Sequence, residues 1–302
     1  MYEKQNINFF LMKTKSYIMY RTCANLFYML NENHIPYAVV KGEALSMLAY
    51  GKCGQRISHD IDILISRKSL GSLKILLTEN GFYCKELERR DEILMLSASH
   101  QTSPWKKKAA SEIIEIDLNF DIFWGEYSGK RISIEGFLEN TVEMDIYGQI
   151  VKTLQPLKAM IELILHHFKE MNSLYHLSRH NSINRSMFQD VYYLWKNNQE
   201  AISLEKLHET VTECGIIQYA FYVLYFTNMI YQDYALNEYV DAFRTQEGEK
   251  LLDYYGLTEK EQKKWKVDFW TRLEEDNLYA LIKEQLTNED MEKLERSRRI
   301  FT

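Results

Sequence analysis

Proline and glycine are scarce in this chain of 302 residues, at 3 and 12. So few breakers favour long helices around a substantial core. The four cysteines (Cys23, Cys53, Cys84 and Cys214) lie far apart and form no CxxC pair. That argues against a zinc site or a disulfide framework and fits a reducing cytoplasm. Positive charge is in deficit, with 37 Lys and Arg against 43 Asp and Glu and a net charge of −6. This argues against a broad nucleic-acid footprint. Single nucleotides are still allowed, because they bind through metals and local dipoles. The most apolar long run, Tyr219–Tyr231, contains Thr227 and Asn228 and is too short to span a bilayer, so it reads as a buried helix. Met1 to Tyr20 is interrupted by Glu, Lys and Asn and does not read as a signal peptide. The expectation is a cytoplasmic protein with no membrane partner.

What remains is a globular composition, 46% hydrophobic and 26% charged, rich in Tyr (21) and Phe (14). The spacing predicts a helix over residues 8–33, ended by Pro36, then a short buried strand at Tyr37–Val40. Gly42 opens a helical turn, residues 51–58 form a polar loop, and Asp60–Ile65 is the second strand. Ser66 is placed to cap a helix with the stripe Leu70, Leu73, Leu76 and Leu77, stopped at Asn80-Gly81. Residues 82–86, 92–97 and 112–122 read as strands. The last alternates most cleanly, with Ile114, Ile116, Leu118, Phe120 and Ile122 on one face and Glu115, Asp117, Asn119 and Asp121 on the other. Beyond residue 150 the period becomes helical, through Leu157–Phe168, Phe188–Trp195 and Trp265–Leu273. An α/β half at 1–150 followed by an all-helical half at 151–302 is therefore expected.

The most informative segment is His59-Asp60-Ile61-Asp62-Ile63-Leu64-Ile65. A strand puts Asp60 and Asp62 on one face, about 6.5–7 Å apart along the chain. Two like charges in an apolar run are costly unless a cation neutralises them. Mg²⁺ with a phosphate-bearing ligand meets that need. Asp117, mid-strand on the polar face of 112–122, would be the third acid if its strand lies beside Asp60–Ile65. Two divalent ions about 3.5–4 Å apart require such a density of negative charge. The alternative for Asp117 is a solvated sheet face.

Lys41-Gly42 sits at a strand-to-helix junction, where glycine admits a phosphate to the backbone and the helix N-terminus favours an anion. The alternative is an ordinary tight turn. Arg56, four residues before Asp60, has the reach to grip a phosphate, or it is a surface charge in a loop. Lys106-Lys107-Lys108 reads as a solvated hairpin tip, with phosphate steering as the other reading. His167 falls near an apolar stripe and reads as a satisfied buried histidine. Asp190 borders another stripe as the partner of a neighbouring base. His166, His167 and Asp190 show no metal-ligand spacing with enough partners.

Together these residues resemble the nucleotidyltransferase superfamily that includes DNA polymerase beta. More closely, the chain looks like an uncharacterised bacterial nucleotidyltransferase family marked by a Lys-Gly turn. That pattern is matched by Lys41-Gly42, Tyr50, Arg56, Asp60-Ile61-Asp62-Ile63-Leu64-Ile65 and Asn80-Gly81-Phe82, and more loosely by Asp117-Leu118-Asn119-Phe120, Leu163–His167 and Asp190–Leu194. The chain departs from the superfamily in carrying Glu43 where a serine usually follows the glycine, with Ser46 one helical turn on as a substitute. It departs from the family in carrying Asn119 in place of a histidine.

The resemblance implies an α+β fold, a mixed polymerase beta-like sheet flanked by helices, followed by an all-helical domain that shapes the pocket. It implies transfer of a nucleotidyl group from an NTP, ATP first, to a hydroxyl of a small-molecule or protein acceptor. Asp60, Asp62 and Asp117 would hold two Mg²⁺ ions, with Mn²⁺ as a substitute. Lys41, Gly42, Ser46 and Arg56 would bind the nucleotide. Glu43 and Asn119 leave two further readings open: a nucleotide-binding scaffold without turnover, and an antitoxin-like enzyme that modifies a partner protein.

Overall fold

A computed structural model describes residues 2–56, 58–109, 112–123, 132–179 and 183–301. Two helices, α1 (Tyr2–Thr22) and α2 (Ala24–Glu32), replace the single expected one, with a break at Cys23. Strand β1 (Tyr37–Val40) leads into α3 (Gly42–Tyr50), and β2 (Ile61–Ile65) follows the loop. Next come α4 (Leu70–Glu79), β3 (Tyr83–Cys84), α5 (Arg89–Ala98), β4 (Trp105–Ala109), β5 (Glu112–Asn119), α6 (Ile134–Leu138), β6 (Val142–Ile146) and β7 (Gln149–Thr153). The seven strands form one mixed sheet in the order β3-β4-β5-β2-β1-β7-β6. The pairs β2–β5 and β1–β7 are parallel, and the other pairings are antiparallel.

The alternation along β5 is realised. Ile114, Ile116 and Leu118 lie in one apolar cluster with Ile61, Ile63 and Ile65 of β2, Tyr37 and Val39 of β1, and Leu26, Phe27, Leu30, Leu73 and Leu77 of α2 and α4. Because side chains on a strand alternate, this burial turns Asp62, Asp117 and Asn119 to the opposite face of the sheet. The chemistry of the site thus follows from where the core sits.

Several expectations are corrected. Residues 92–97 are not a strand but part of α5, whose first turn carries Asp91 and Glu92, acids that suit a helix N-terminus. Lys106, Lys107 and Lys108 are not a hairpin tip. They lie within β4, opposite Glu115, Ile114 and Ile113 of β5. Strand β5 ends at Asn119, where the backbone N–H groups of Phe120 and Asp121 turn to the carbonyl of His100. Ser66 precedes a 3-10 turn, and its side chain makes no cap bond to the backbone. Trp265 lies outside the helix Phe269–Glu274, which starts after an Asp268 cap on Thr271 N–H.

The expected all-helical half is corrected: among the described residues the rest of the chain is mostly helical, but β7 runs to Thr153 and Tyr254–Tyr255 pairs with Lys263–Lys264 in a two-stranded sheet. The helices begin with α7 (Pro156–Asn172), α8 (Leu174–Leu177), α9 (Arg185–Asn197), α10 (Leu204–Glu213) and α11 (Ile217–Tyr231). The apolar run noted above is α11, with Tyr219 to Leu224 buried. Its Tyr219 and Tyr222 rings lie 4.4 and 5.1 Å from Phe168 of α7. By compactness the described residues divide into two units, one up to Ala159 and one from Met160 onward. Among the described residues, no helix is long and apolar enough to cross a membrane.

Candidate active site

Register brings two acids together. The parallel pairing of β2 and β5 sets Asp62 opposite Asp117 and Leu64 opposite Asn119. Antiparallel pairing sets Val40 opposite Asp62, so Lys41 leaves β1 beside the same aspartate. The Lys41 ammonium donates to Asp62 Oδ1 at 2.9 Å, and Asn119 Nδ2 donates to the same oxygen at 3.1 Å. Both side chains of the ion pair are largely buried, with Asp62 7% exposed. Asp60, two residues earlier, accepts from the Ser58 hydroxyl at 2.7 Å.

The turn that places Lys41 is strained. Lys41 has φ 56° and Gly42 φ 45°, both on the left-handed side. A β-carbon at residue 42 would also meet the Ser58 β-carbon at 3.2 Å. Only glycine satisfies both demands cheaply. Non-glycine backbone held at positive φ next to charged groups is a recurrent feature of functional sites.

The electrostatics show a site that Lys41 compensates only in part. Burial, followed by the charges of Asp62 and Asp60, pushes the Asp117 carboxyl up to about 7. Burial, then Asp62, also raises Asp60, while Ser58, Lys41 and Arg56 pull it down. Lys41 already stands as a cation against this acid face. A divalent ion fits the same demand, because hard oxygen donors on neighbouring strands are the ligands Mg²⁺ accepts.

Glu43 and Ser46 have a different task. They are three residues apart on α3 and so share a face. Glu43 is 1% exposed; the Gly54 N–H donates to one carboxylate oxygen at 2.7 Å and the Tyr147 hydroxyl to the other at 2.8 Å. The Ser46 hydroxyl donates to the Lys52 carbonyl at 2.7 Å and accepts from Gln55 N–H at 3.0 Å. Together they clamp the loop between α3 and β2. The Ser46 hydroxyl, expected from sequence at a phosphate, is engaged in the loop here. Arg56 lies in that loop, and its charge acts on Asp60.

The helical residues are also corrected. His166 and His167 do have a third partner, Glu170, at 3.3 Å from His166 Nε2 and 3.5 Å from His167 Nδ1. The signal overlooked was a carboxylate at i+3 and i+4 on the same helical turn. Asp190 is buried on α9. Ser58, which holds Asp60, and Asn119, which holds Asp62, were likewise not assigned these tasks from sequence.

A mixed sheet that sets an Asp-Ile-Asp strand beside a third acid and behind a Lys-Gly turn defines the class as nucleotidyltransferase-like. The chain belongs to the family described as uncharacterised nucleotidyltransferase, whose model matches residues 9–232. Among solved structures it is similar to an antigenic nucleotidyltransferase-like protein from Paracoccidioides brasiliensis, with 15% identity, a TM-score of 0.30, and 65% of this chain and 88% of that chain covered. It is also similar to the antibiotic-resistance factor ANT(2'')-Ia, with 10% identity, a TM-score of 0.35, and 68% and 94% covered. No curated protein matches.

Proposed function

We propose that the protein is a Mg²⁺-dependent nucleotidyltransferase that moves an NMP group from an NTP, ATP first, to a hydroxyl of an acceptor. The observation that carries this reading is the β2–β5 register, which sets Asp62 against Asp117 with Asp60 two residues before. Asp60, Asp62 and Asp117 would hold the divalent ions, which supply charge neutralisation at the phosphates and acidify the attacking hydroxyl.

The remaining steps belong to the chain itself. Lys41 is the cation nearest the acid face and leaves Asp62 for a phosphate once the acids have another counter-charge. Gly42 keeps the backbone open at the N-terminus of α3, where N–H groups favour an anion. Arg56 adds charge on the loop side. Asn119 orients Asp62 through its amide, and Ser58 orients Asp60. Asp117 completes the acid site and helps to take the acceptor's proton. Most of the acceleration then comes from positioning and charge neutralisation.

This reading is favoured over a scaffold without turnover because Glu43, the residue that most suggested inactivity, directs its carboxylate to Gly54 and Tyr147. Thermal denaturation of the purified protein with Mg²⁺ and each NTP tests it. A Tm rise with at least one NTP, dependent on Mg²⁺ and absent in Asp62→Asn, is expected. No rise with any NTP and Mg²⁺ or Mn²⁺ would sink the proposal. In the presence of an acceptor pool, Asp62→Asn should lower transfer on the order of 10³-fold.

A further inference from the structure

Helix α7 carries a second group of metal-ligating side chains, independent of the acids on the sheet. His166 Nε2 lies 3.3 Å from one Glu170 oxygen and His167 Nδ1 lies 3.5 Å from the other. The ligand atoms of the three residues all lie within 4.8 Å of one another. Among the described residues, this is the group of His, Cys, Asp and Glu that closes so tightly.

His167 supplies the independent sign. It is 2% exposed, and neither ring nitrogen has a hydrogen-bond partner. A buried imidazole left in that condition forfeits the compensation that buried polar groups normally find. The 3.5 Å separation from Glu170 is long for a hydrogen bond. It is, however, close to the edge of a tetrahedron around an ion with ligand bonds of about 2.1 Å, an edge of about 3.4 Å. The 3.3 Å separation at His166 fits the same figure.

We propose that His166, His167 and Glu170 bind one divalent transition-metal ion of the Zn²⁺ and Co²⁺ class, through two imidazole nitrogens and the Glu170 carboxylate, of which each nitrogen faces its own oxygen. Two nitrogen donors select such borderline ions over Mg²⁺, which takes oxygen. Three protein ligands leave a position for water or an added ligand. His166 and Glu170 are partly exposed, at 15% and 29%, and give the ion its way in. Coordination through Nδ1 satisfies the His167 lone pair, and the ring proton resides on Nε2.

The test is titration of tag-free, metal-stripped full-length protein with Co²⁺, read by its d–d absorption. The expected result is one Co²⁺ per chain, displaced by Zn²⁺ and not by excess Mg²⁺. The bands should persist in Asp62→Asn, which disables the acid site, and vanish in both Glu170→Gln and His166→Gln. These two variants change partly exposed positions, and far-ultraviolet circular dichroism confirms that each is folded. If one unfolds, the other decides. Absence of Co²⁺ bands in the wild type, bands unchanged in the folded variants, or bands lost in Asp62→Asn would each overturn the assignment. Failure of the nucleotide experiment leaves this result untouched, because its readout needs no NTP.

Discussion

Two sets of carboxylates within the sheet-bearing unit are treated in opposite ways. Glu43, on α3, meets two donors, the Gly54 N–H and the Tyr147 hydroxyl, and ties the loop after α3 to Tyr147, which follows β6. Asp62 and Asp117 stand opposite each other on two strands with Asp60 just before the first, and burial and neighbouring carboxylates raise Asp60 and Asp117. A structural acid is one whose charge the protein answers with its own donors. A working acid stands among other acids that the protein's own donors, here Lys41, Asn119 and Ser58, answer only in part, so that charge is left for something that arrives later. Burial alone does not separate them, for both sets are largely enclosed.

The sharpest way to break this distinction is at Glu43. If its role is structural, Glu43→Ala strands a loop N–H and a tyrosine hydroxyl and costs about 3 kcal/mol. Urea unfolding measures that loss, and the Mg²⁺-dependent NTP shift should survive in whatever fraction folds. A variant with undiminished stability and no NTP shift would move Glu43 into the working set.

Asp117 gives the next effect, and its sign is opposite to that of an ordinary salt-bridged acid. Its carboxyl lies at about 7 when folded and at 3.8 when unperturbed. Between those values the folded state holds more protons than the unfolded state, so stability falls as pH rises. Metal-free protein should therefore show a Tm that declines between pH 4 and pH 7 and then levels. Asp117→Asn should flatten the decline. Added Mg²⁺ should raise Tm more at pH 8 than at pH 5, since only the ionised carboxylate binds it. An identical pH profile for wild type and Asp117→Asn would place the raised carboxyl elsewhere.

What could be read from sequence follows from how local each feature is. Asp60 and Asp62 are legible because a strand's period of two needs no tertiary knowledge. Asp117 is legible as a face of β5, but its place opposite Asp62 is a matter of parallel register between segments more than fifty residues apart. The loop contacts of Glu43 and Ser46 are not legible in the sequence, because the side of α3 they occupy depends on where the loop lies. Residues 92–97 are too short a run for periodicity to separate strand from helix. Glu170 was within reach, since its spacing from His166 and His167 is local, and it was missed by counting only histidines and Asp190.

The smallest effect concerns the basic run on β4, and it marks the far end of the same comparison. Lys106 pairs across the strands with Glu115 at 2.9 Å, and the two side chains are 41% and 37% exposed. Here a carboxylate has a partner, as Glu43 does, but water already answers both charges. Such exposed pairs contribute little, so Lys106→Ala should change unfolding free energy by no more than about 0.5 kcal/mol. Its Mg²⁺-dependent NTP shift should equal that of the wild type if the run is merely the outward side of a strand. A marked fall in that shift with unchanged stability would instead give Lys106 the phosphate-steering role that its sequence context first suggested. Since screening weakens steering, the fall would then diminish as salt is raised, whereas a loss of sheet pairing would persist.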